Sequence, residues 1–280
     1  MSHNRQYDPI RQADPDYETI LYATGADKVA TITINRPAQF NSFNVRMAEE
    51  FQHVWQRIQA DDGVHAVVLR AAEGRAFSSG ADVREDTAAT GKSHFTPRIE
   101  AVDPGFLLGP KANHCWKPVV IAVHGICGGG AFYWINEGDI IICSPDAEFF
   151  DPHVTYGQTC AVEPIGLRYR MPLGDLLRMV LLGSDERITA ETALAMRLVS
   201  EIVARDRLWE RAHDLAAKIA QKPSQATQGS VRAIWESMDM HRTIAIQTAM
   251  KYPQVTVMSG TTQEVDRFAI MDKAKNYERR

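Results

Sequence analysis

Three consecutive glycines between an apolar stretch and an aromatic stretch form the part of the sequence best suited to chemistry. Residues 118–123 read Pro-Val-Val-Ile-Ala-Val, and Gly128, Gly129 and Gly130 follow a few positions later. Glycines let the backbone turn sharply and approach a ligand closely. A strand that passes through glycines into a helix leaves N–H groups at the positive end of the helix dipole, which suits a phosphate or a developing oxyanion. A tight connection without any ligand would also explain the glycines, so the motif alone leaves both interpretations open.

The spacing of these glycines differs from the common nucleotide-binding patterns. It is neither Gly-x-Gly-x-x-Gly nor a phosphate loop ending in Gly-Lys-Ser or Gly-Lys-Thr, so nucleotide binding of those kinds is not expected. A serine hydrolase is also disfavoured, because the chain has no Gly-x-Ser-x-Gly elbow.

The elements that must position the glycine turn alternate between strands and helices. Apolar runs predict strands at residues 20–22, 29–34, 66–69, 119–123, 139–143, 147–150 and 199–203. Helical spacing of apolar side chains, or a cap, predicts helices after Asn44, at residues 165–170, 173–182 and 191–198, and from residue 206 onward. Repeated strand–helix units followed by helices predict an α/β core with an α-helical tail.

Changes in composition along the chain predict three segments. Residues 1–16 are polar and read as a flexible leader, residues 17–205 as the core, and residues 206–280 as the helical C-terminal region. Within the core, residues 87–110 mix polar side chains with glycine and proline, which predicts a mobile segment.

Composition and charge exclude several classes of protein. No apolar run approaches the about 18 residues of a membrane span, and the N-terminus has no apolar secretory region, so a cytoplasmic protein is expected. The formal net charge is −4 and basic residues are scattered, which argues against a nucleic-acid partner. The four cysteines show neither a zinc spacing nor a disulfide pattern. We therefore expect reduced thiols and no metal site.

Several motifs, in order, resemble the crotonase (enoyl-CoA hydratase/isomerase) superfamily. They are Ile-Asn-Arg-Pro at residues 34–37, Ala-Phe-Ser-Ser-Gly-Ala-Asp at 76–82, Lys-Pro-Val-Val-Ile-Ala-Val-His-Gly at 117–125, the glycines at 128–130, and Asp139 with Ile140. Residues 190–200 are similar to the family's Ala-x-x-Ala-x-x-x-Gly-Leu-Val stretch, with Arg197 where glycine is usual. The resemblance runs through most of the chain.

This resemblance implies a fold, a substrate class and an assembly. The expected fold is α/β, a crotonase-like spiral of ββα units with an α-helical C-terminal region that builds trimers or dimers of trimers. The expected substrate is a coenzyme A thioester, with no cofactor other than the coenzyme A that the substrate carries.

The resemblance also assigns site residues. In the family, two backbone N–H groups stabilise the thioester enolate, and here they belong to Ala81 and Gly129; each such donor is worth about 3–4 kcal/mol. The other residues placed against the acyl group or coenzyme A are Ser79, Gly80, Asp82, Gly128, Phe132 and Arg36. The family's lysine after Asn-Arg-Pro is Ala38 in this chain, so one expected phosphate contact is missing. Arg36, Lys273 and Lys275 are candidates to replace it, and a position on a solvated face stays open for each.

The chain departs from the family at both positions where hydratases carry a catalytic glutamate. One position, two residues after the glycine turn, is Phe132, and the other is His153. Addition of water to a double bond needs an acid and a base across that bond, and Phe132 supplies neither. The usual two-glutamate hydration is therefore not expected.

Ionisable side chains are concentrated around the second of these positions: Asp151, His153, Tyr156 and Glu163. His153 is the main candidate, because an imidazole with a pKa near 6.5 suits acid–base work at neutral pH. Glu163 is expected to open a helix and either to orient His153 or to act as the base itself. Asp151 either orients His153 or caps a turn before Pro152. Structural roles for all three remain open from sequence.

Two functional hypotheses follow. The first is a crotonase-type enzyme of acyl-CoA or fatty-acid metabolism, a lyase, isomerase or hydrolase, that uses the Ala81 and Gly129 N–H groups with His153, Glu163 and Asp151. Hydrolysis, carbon–carbon cleavage or isomerisation fits better than hydration. The alternative is a catalytically silent acyl-CoA-binding protein, suggested by the loss of both glutamates.

Overall fold

A computed structural model describes residues 16–84, 103–263, 265–266, 270 and 278. The chain divides into two compact units, Met1–Gln221 and Lys222–Arg280. The predicted leader, residues 1–16, lies outside the described residues except for Asp16, and of the predicted mobile segment only residues 103–110 are described. The role of residues 206–280 in trimerisation stays a prediction.

Within residues 16–84 and 103–221, the first unit contains ten strands in two sheets. The strands are β1 (Ile20–Thr24), β2 (Val29–Ile34), β3 (Ala66–Ala71), β4 (Ala76–Ser78), β5 (Val119–Val123), β6 (Ile126–Gly128), β7 (Ile140–Cys143), β8 (Glu148–Phe150), β9 (Ile188–Thr189) and β10 (Glu201–Ile202). Six form a sheet in the order β1-β2-β3-β5-β7-β10, and four form a second sheet in the order β4-β6-β8-β9.

Successive strands of this unit switch between the two sheets. β3, β5 and β7 lie in the larger sheet, and each is followed by a strand of the smaller sheet. In the larger sheet β1 pairs antiparallel with β2, and the remaining pairs are parallel, with Val29 opposite Ala66 and Val67 opposite Val119. This repeated β–β switch is the spiral that the sequence predicted, so the expected α/β fold class is confirmed.

The α-helices that the structure describes in full in the first unit are α1 (Val45–Ala60), α2 (Phe132–Glu137), α3 (Val162–Leu167), α4 (Leu173–Leu182), α5 (Ala190–Ala195) and α6 (Leu208–Ala220). Asn44 caps α1 by accepting a hydrogen bond from the Met47 N–H, as predicted. Thr189 caps α5 by accepting one from the Thr192 N–H.

The two faces of the larger sheet are buried by different parts of the chain. Ile32 and Ile34 pack with the aromatic side chains of α1, whereas Val29 packs on the other face with the alanines of α6. The alternation of side chains along a strand explains this division, because neighbours in β2 point to opposite faces.

Some element boundaries differ from the sequence prediction. The helix expected at residues 191–198 ends at Ala195, and the strand expected at 199–203 is limited to Glu201–Ile202. Arg197, which stands where the family usually has glycine, has a φ of 71° and so turns the chain out of the helix. The helix expected at 165–170 is Val162–Leu167, which places Glu163 in its first turn.

The described part of the second unit includes helices α7 (Ser224–Ser237), α8 (Arg242–Ala249) and α9 (Lys251–Met258). Glu236 of α7 accepts a hydrogen bond from the Tyr252 hydroxyl at 2.6 Å and pairs with Lys251 at 3.1 Å. None of the described side chains of these three helices is fully buried. Among the helices that the structure describes in the whole chain, none has the length and apolar character needed to cross a bilayer.

Candidate active site

The glycine turn joins β6 to a short 3-10 turn, Gly129–Ala131, that leads directly into α2. Gly129 has a φ of 54°, in the region that favours glycine. A Cβ added to Gly128 would lie 2.8 Å from the Phe150 ring, and one added to Gly130 would lie 2.6 Å from the Phe43 ring. The turn therefore needs glycine for its backbone conformation and for close packing.

The turn packs directly against the loop that carries Ala81. A Cβ on Gly80, whose φ is 92°, would lie 2.8 Å from the Gly130 nitrogen, and one on Gly130 would lie 3.5 Å from the Ala81 nitrogen. The structure thus brings the two predicted oxyanion-hole residues, Ala81 and Gly129, into adjacent backbone segments.

The N–H groups of both residues lie outside the main hydrogen-bond pairings of their segments. The Phe43 N–H donates to the Gly80 carbonyl at 2.9 Å, and the Phe43 carbonyl accepts from the Asp82 N–H at 2.8 Å. Both hydrogen bonds therefore involve the neighbours of Ala81 and not its own N–H. Gly129 begins a helical turn, where an N–H has no intrahelical acceptor. Two such donors side by side suit a carbonyl oxygen that gains negative charge.

Arg36 and Asp82 stabilise the Ala81 loop. The Arg36 guanidinium lies 2.9 Å from the Asp82 carboxylate and donates to the Ser42 carbonyl at 2.7 Å. The Ser79 N–H donates to the Phe40 carbonyl at 3.1 Å, and the Ser79 side chain is half-buried. These contacts hold the backbone of the loop, whereas the contact of Arg36 with coenzyme A stays a prediction.

Phe132 lies fully buried in the core at the start of α2. It belongs to the same core cluster as Phe43, Phe77 and Trp134. The ring has no proton to exchange, so Phe132 supplies neither an acid nor a base.

The proposed acid–base residues follow β8 and lie next to the glycine turn. Asp151 comes directly after β8, and His153 begins a 3-10 turn, His153–Tyr156. A Cβ on Gly129 would lie 3.3 Å from Pro152, between these two residues. The pairing of β6 with β8 explains the approach, because Gly128 and Phe150 are partners at the ends of these strands.

His153 lies between two carboxylates. Its Nδ1 is 2.7 Å from the Asp151 Oδ1, and its backbone N–H donates to the same oxygen at 3.0 Å. Its Nε2 is 3.8 Å from the Glu163 Oε1, too long for a hydrogen bond. Asp151 is fully buried, Glu163 is nearly so, and 16% of the His153 side chain is exposed.

The surroundings shift the pKa values of all three groups. The hydrogen bond with Asp151 raises the pKa of His153 by more than burial lowers it. Burial alone would raise the pKa of Asp151, but the hydrogen bonds from His153 give a net decrease. Burial raises the pKa of Glu163. Asp151 is therefore a stable anion that fixes the imidazole and leaves Nε2 as its basic nitrogen.

The structure also brings together residues that the sequence prediction did not assign to the site. Cys160 joins Asp151, His153 and Glu163, with one potential ligand atom from each residue within 4.8 Å of the others. Tyr156, which the sequence analysis grouped with these residues, is 74% exposed and is not part of this cluster.

A tyrosine and an aspartate near Glu163 were likewise missed. The Tyr133 hydroxyl donates to the Asp103 Oδ2 at 2.6 Å. Asn136, one turn further along α2, donates to the Glu163 carbonyl at 3.0 Å, so this face of α2 packs against α3. In the sequence, the one indication that Tyr133 belongs to this region is that it directly follows Phe132, which stands at a catalytic position of the family. Lys273 and Lys275 lie outside the described residues.

Comparisons with known proteins agree with this architecture. The profile of the enoyl-CoA hydratase/isomerase family matches residues 24–272. A solved enoyl-CoA hydratase/isomerase from Mycobacterium paratuberculosis is 31% identical, superposes with a TM-score of 0.82, and is covered over 99% of its length by 94% of this chain. The mitochondrial Delta(3,5)-Delta(2,4)-dienoyl-CoA isomerase of Mus musculus is 31% identical over 236 residues, which cover 79% of this chain and 70% of the isomerase.

A further relative is a hydrolase. The (7aS)-7a-methyl-1,5-dioxo-2,3,5,6,7,7a-hexahydro-1H-indene-carboxyl-CoA hydrolase of Rhodococcus jostii is 27% identical over 257 residues, which cover 92% of this chain and 93% of the relative. The relatives thus include hydrolase and isomerase activities on coenzyme A compounds. The chain belongs to the enoyl-CoA hydratase/isomerase family, and so to the crotonase superfamily.

Proposed function

We propose that this protein hydrolyses a carbon–carbon bond in a 3-oxoacyl coenzyme A thioester. The observation that carries the proposal is the array of Asp151, His153 and Glu163 beside the glycine turn. Membership of the family supports a coenzyme A thioester as substrate. The hydrolase from R. jostii, whose name describes a dioxo compound carrying a carboxyl-CoA group, supports hydrolysis as the reaction.

Each residue of the array has a distinct role in this reaction. Asp151 accepts the Nδ1–H of His153 and so fixes the tautomer whose Nε2 takes a proton from water. Glu163 is not hydrogen-bonded to His153 at 3.8 Å, so both groups can contact the same reacting water or carbonyl. Its raised pKa suits a carboxyl group that returns a proton to the product.

The bond changes balance with water as the only co-reactant. His153 takes a proton from water, and the resulting hydroxide adds to the 3-oxo carbon. The bond between this carbon and the thioester α-carbon then breaks, and its electron pair forms the thioester enolate. The Ala81 and Gly129 N–H groups hold the enolate oxygen, and protonation of the α-carbon gives a carboxylic acid and a shortened or ring-opened acyl-CoA.

Hydrolysis fits this site better than hydration because the acid–base groups are concentrated in one cluster. Phe132, which stands at the family's other catalytic position, is an apolar ring in the core. Addition of water across a double bond needs proton transfer at two carbons. Attack on a carbonyl followed by bond cleavage can be served by one base and one neighbouring acid.

Contacts with the rest of the substrate follow the family assignment. We propose that Ser79, Gly80, Asp82, Gly128 and Arg36 bind the thioester and the coenzyme A chain, mainly through the backbone. The close packing of Gly80 on Gly130 supports this, because it leaves no side chain between the two loops.

The test is turnover in water labelled with ¹⁸O. A panel of coenzyme A thioesters, comprising linear and cyclic 3-oxoacyl, enoyl and hydroxyacyl compounds, is incubated with the wild type, and products are identified by mass spectrometry. We expect one ¹⁸O atom in a new carboxylate from a 3-oxo substrate, and loss of this product in His153→Gln. The matched control is His114→Asn, at an exposed histidine whose φ of 57° suits asparagine.

Two outcomes would contradict the proposal. Product formed without a labelled carboxylate would indicate isomerisation or hydration. Tight thioester binding without any product, unchanged in His153→Gln, would favour an acyl-CoA-binding protein.

We also propose that the protein is a homotrimer or homohexamer. The three helices of the second unit expose apolar side chains such as Ile244, Val257 and Met258, which suit contacts between subunits. Light scattering coupled to size exclusion measures the mass, and a monomer at micromolar concentration would contradict this expectation.

A further inference from the structure

A set of side chains with the chemistry of metal ligands lies beside the glycine turn. Asp151, His153, Cys160 and Glu163 each offer one ligand atom, and these atoms all lie within 4.8 Å of one another. Asp151 and Glu163 are buried, whereas His153 and Cys160 are half-buried. The four residues lie within 13 positions of the sequence, in an irregular segment and the start of a helix. This explains why no regular spacing of cysteines or histidines predicted the cluster.

The cluster concentrates negative charge in a buried place. Asp151 and Glu163 are both carboxyl groups within the 4.8 Å limit, and His153 is the basic side chain between them. The Asp103 carboxylate, hydrogen-bonded to Tyr133, contributes a further negative charge to the surroundings of His153 and Glu163. A divalent cation would offset this repulsion directly.

The Asp151 carboxylate interacts with two other members of the cluster. It is fully buried, and a hydrogen bond with the Cys160 side chain helps to lower its pKa. Its Oδ1 contacts the Nδ1 of His153 at 2.7 Å. A histidine that binds a metal through one ring nitrogen commonly donates the other to a carboxylate, so Asp151 already supplies the outer half of such a site.

We propose that His153, Cys160 and Glu163 bind a zinc ion that regulates the active site reversibly, while Asp151 holds the imidazole of His153 from the outer side. Zinc accepts thiolate, imidazole and carboxylate ligands together, in tetrahedral geometry. Magnesium and calcium prefer oxygen ligands alone, so the sulfur of Cys160 argues against them. On binding, the Cys160 S–H gives its proton to solvent and a zinc–sulfur bond forms, without any transfer of electrons.

The position of the site predicts its effect on catalysis. A metal at this cluster engages the imidazole to which the proposed hydrolysis assigns proton transfer, so the loaded protein should not turn over. This consequence rests on the proposed function, whereas binding of the metal does not.

The experiment uses Co²⁺ as a spectroscopic substitute for Zn²⁺, with the full chain free of any histidine tag. We expect the wild type to bind one Co²⁺ per chain, with a sulfur-to-cobalt charge-transfer band and visible bands of four-coordinate cobalt, and Zn²⁺ to displace it. In Cys160→Ala the charge-transfer band should vanish. Zn²⁺ affinity should fall by more than the about 10–100-fold typical of outer-shell substitutions. The matched control is Cys115→Ala, at a fully buried cysteine near Lys111 and Lys117.

Other outcomes would overturn the site. Co²⁺ binding without a sulfur band, equal binding by wild type and Cys160→Ala, or no binding at all would each do so. If Cys160→Ala does not fold, Cys160→Ser replaces it, because this variant preserves the size of the side chain and should also lack the sulfur-to-cobalt charge-transfer band.

Turnover separates this inference from the proposed function. Zn²⁺ should lower the rates of wild type and Cys115→Ala by a larger factor than that of Cys160→Ala, each compared with its own metal-free rate. If no thioester is turned over, the proposed function fails while the cobalt spectrum still decides the metal site.

Discussion

Two histidines of the first unit, His124 and His153, show how the same side chain acquires opposite properties. His124 follows β5, is fully buried, and has no hydrogen-bond partner for either ring nitrogen among the described residues. Burial, followed by the positive charge of Arg205, lowers its pKa to about 4. His153 is also largely buried, but its bond with Asp151 raises its pKa instead. A carboxylate partner, rather than burial, decides whether a histidine here can hold a proton near neutral pH.

Distance along the sequence does not predict which of the two histidines lies next to the glycine turn. His124 precedes the glycine turn by four residues, whereas His153 lies 24 residues after Gly129. The pairing of β6 with β8 nevertheless brings the second histidine to the turn, through contact of Pro152 with Gly129. His124 instead faces the Trp209 ring, with centroids 6.4 Å apart.

The largest expected effect distinguishes the two histidines by activity. His153→Gln should lower kcat by about 10²–10⁴-fold, the usual contribution of a general base. His124→Met, which replaces an unpaired ring by an apolar side chain of similar size, should retain kcat within a few-fold. The measurement is steady-state turnover of the thioester that yields the labelled carboxylate, with thermal unfolding of both variants as the folding control. Equal losses in the two variants would remove the functional difference between the histidines.

A second prediction concerns the carboxylate that makes His153 different. Asp151→Asn should lower kcat by about 10²-fold, the cost expected from misplacing a reacting group by about 1 Å, and should change KM little. The amide can donate to Nδ1 and so favour the wrong tautomer of the imidazole. The control is Asp185→Asn, at an exposed aspartate. Wild-type kcat in Asp151→Asn would show that His153 does not depend on this partner.

A third prediction tests the pKa of His124 through stability. Above pH 6.5 its imidazole is neutral in both the folded and the unfolded chain, so it makes no pH-dependent contribution. As the pH falls from 6.5 toward 4, the unfolded chain binds a proton that folded His124 resists, and the folded state loses stability. At pH 4.5 this loss amounts to about 2–3 kcal/mol, since one pKa unit is about 1.4 kcal/mol.

His124→Met should abolish that part of the pH dependence. Urea unfolding at pH 7 and pH 4.5 measures it in both proteins, with the exposed-site variant His114→Asn as the control. We expect His124→Met to be at least as stable as wild type at pH 7, because neither ring nitrogen loses a partner. An identical change in unfolding free energy between the two pH values in all three proteins would show that His124 titrates normally in the folded state.

The backbone parts of this site could be predicted from sequence, whereas the convergence of side chains could not. The apolar runs at residues 29–34 and 119–123 match strands β2 and β5, because period and β-branching determine local structure directly. The glycine turn and the cap at Asn44 are likewise local signals. Cys160 carries no such signal, because it joins the site through an irregular segment whose path depends on packing against the rest of the chain.

The pair of Asp103 and Tyr133 illustrates the same limit over a longer distance. The two residues are separated by strands β5 and β6 and the glycine turn, yet their side chains form a hydrogen bond of 2.6 Å. Gly105 makes this approach possible, since a Cβ there would lie 2.3 Å from the Tyr133 ring. Composition led us to expect a mobile segment over these residues. The packing of Gly105 against Tyr133 appears only in three dimensions.

The smallest expected effect refines the account of His124 by changing its charged neighbours. The groups that influence its pKa are Arg205, which lowers it, and Glu73 and Asp146, which raise it. Arg205 pairs with Glu73 at 2.9 Å and with Asp146 at 3.3 Å. Arg205→Gln removes the positive charge and frees both carboxylates, so the pKa of His124 should rise. The shift should stay below about one pH unit, because these pairs are exposed to solvent.

The double variant Arg205→Gln, His124→Met isolates this effect. Arg205→Gln alone should reduce the loss of stability between pH 7 and pH 4.5, because folded His124 then accepts a proton at higher pH. In the His124→Met background the same substitution should lack this component, and the difference between the two backgrounds measures the coupling. A coupling of zero would mean that burial alone sets the pKa of His124. The difference in pKa between His124 and His153 would then be explained by the Asp151 carboxylate, which only His153 contacts.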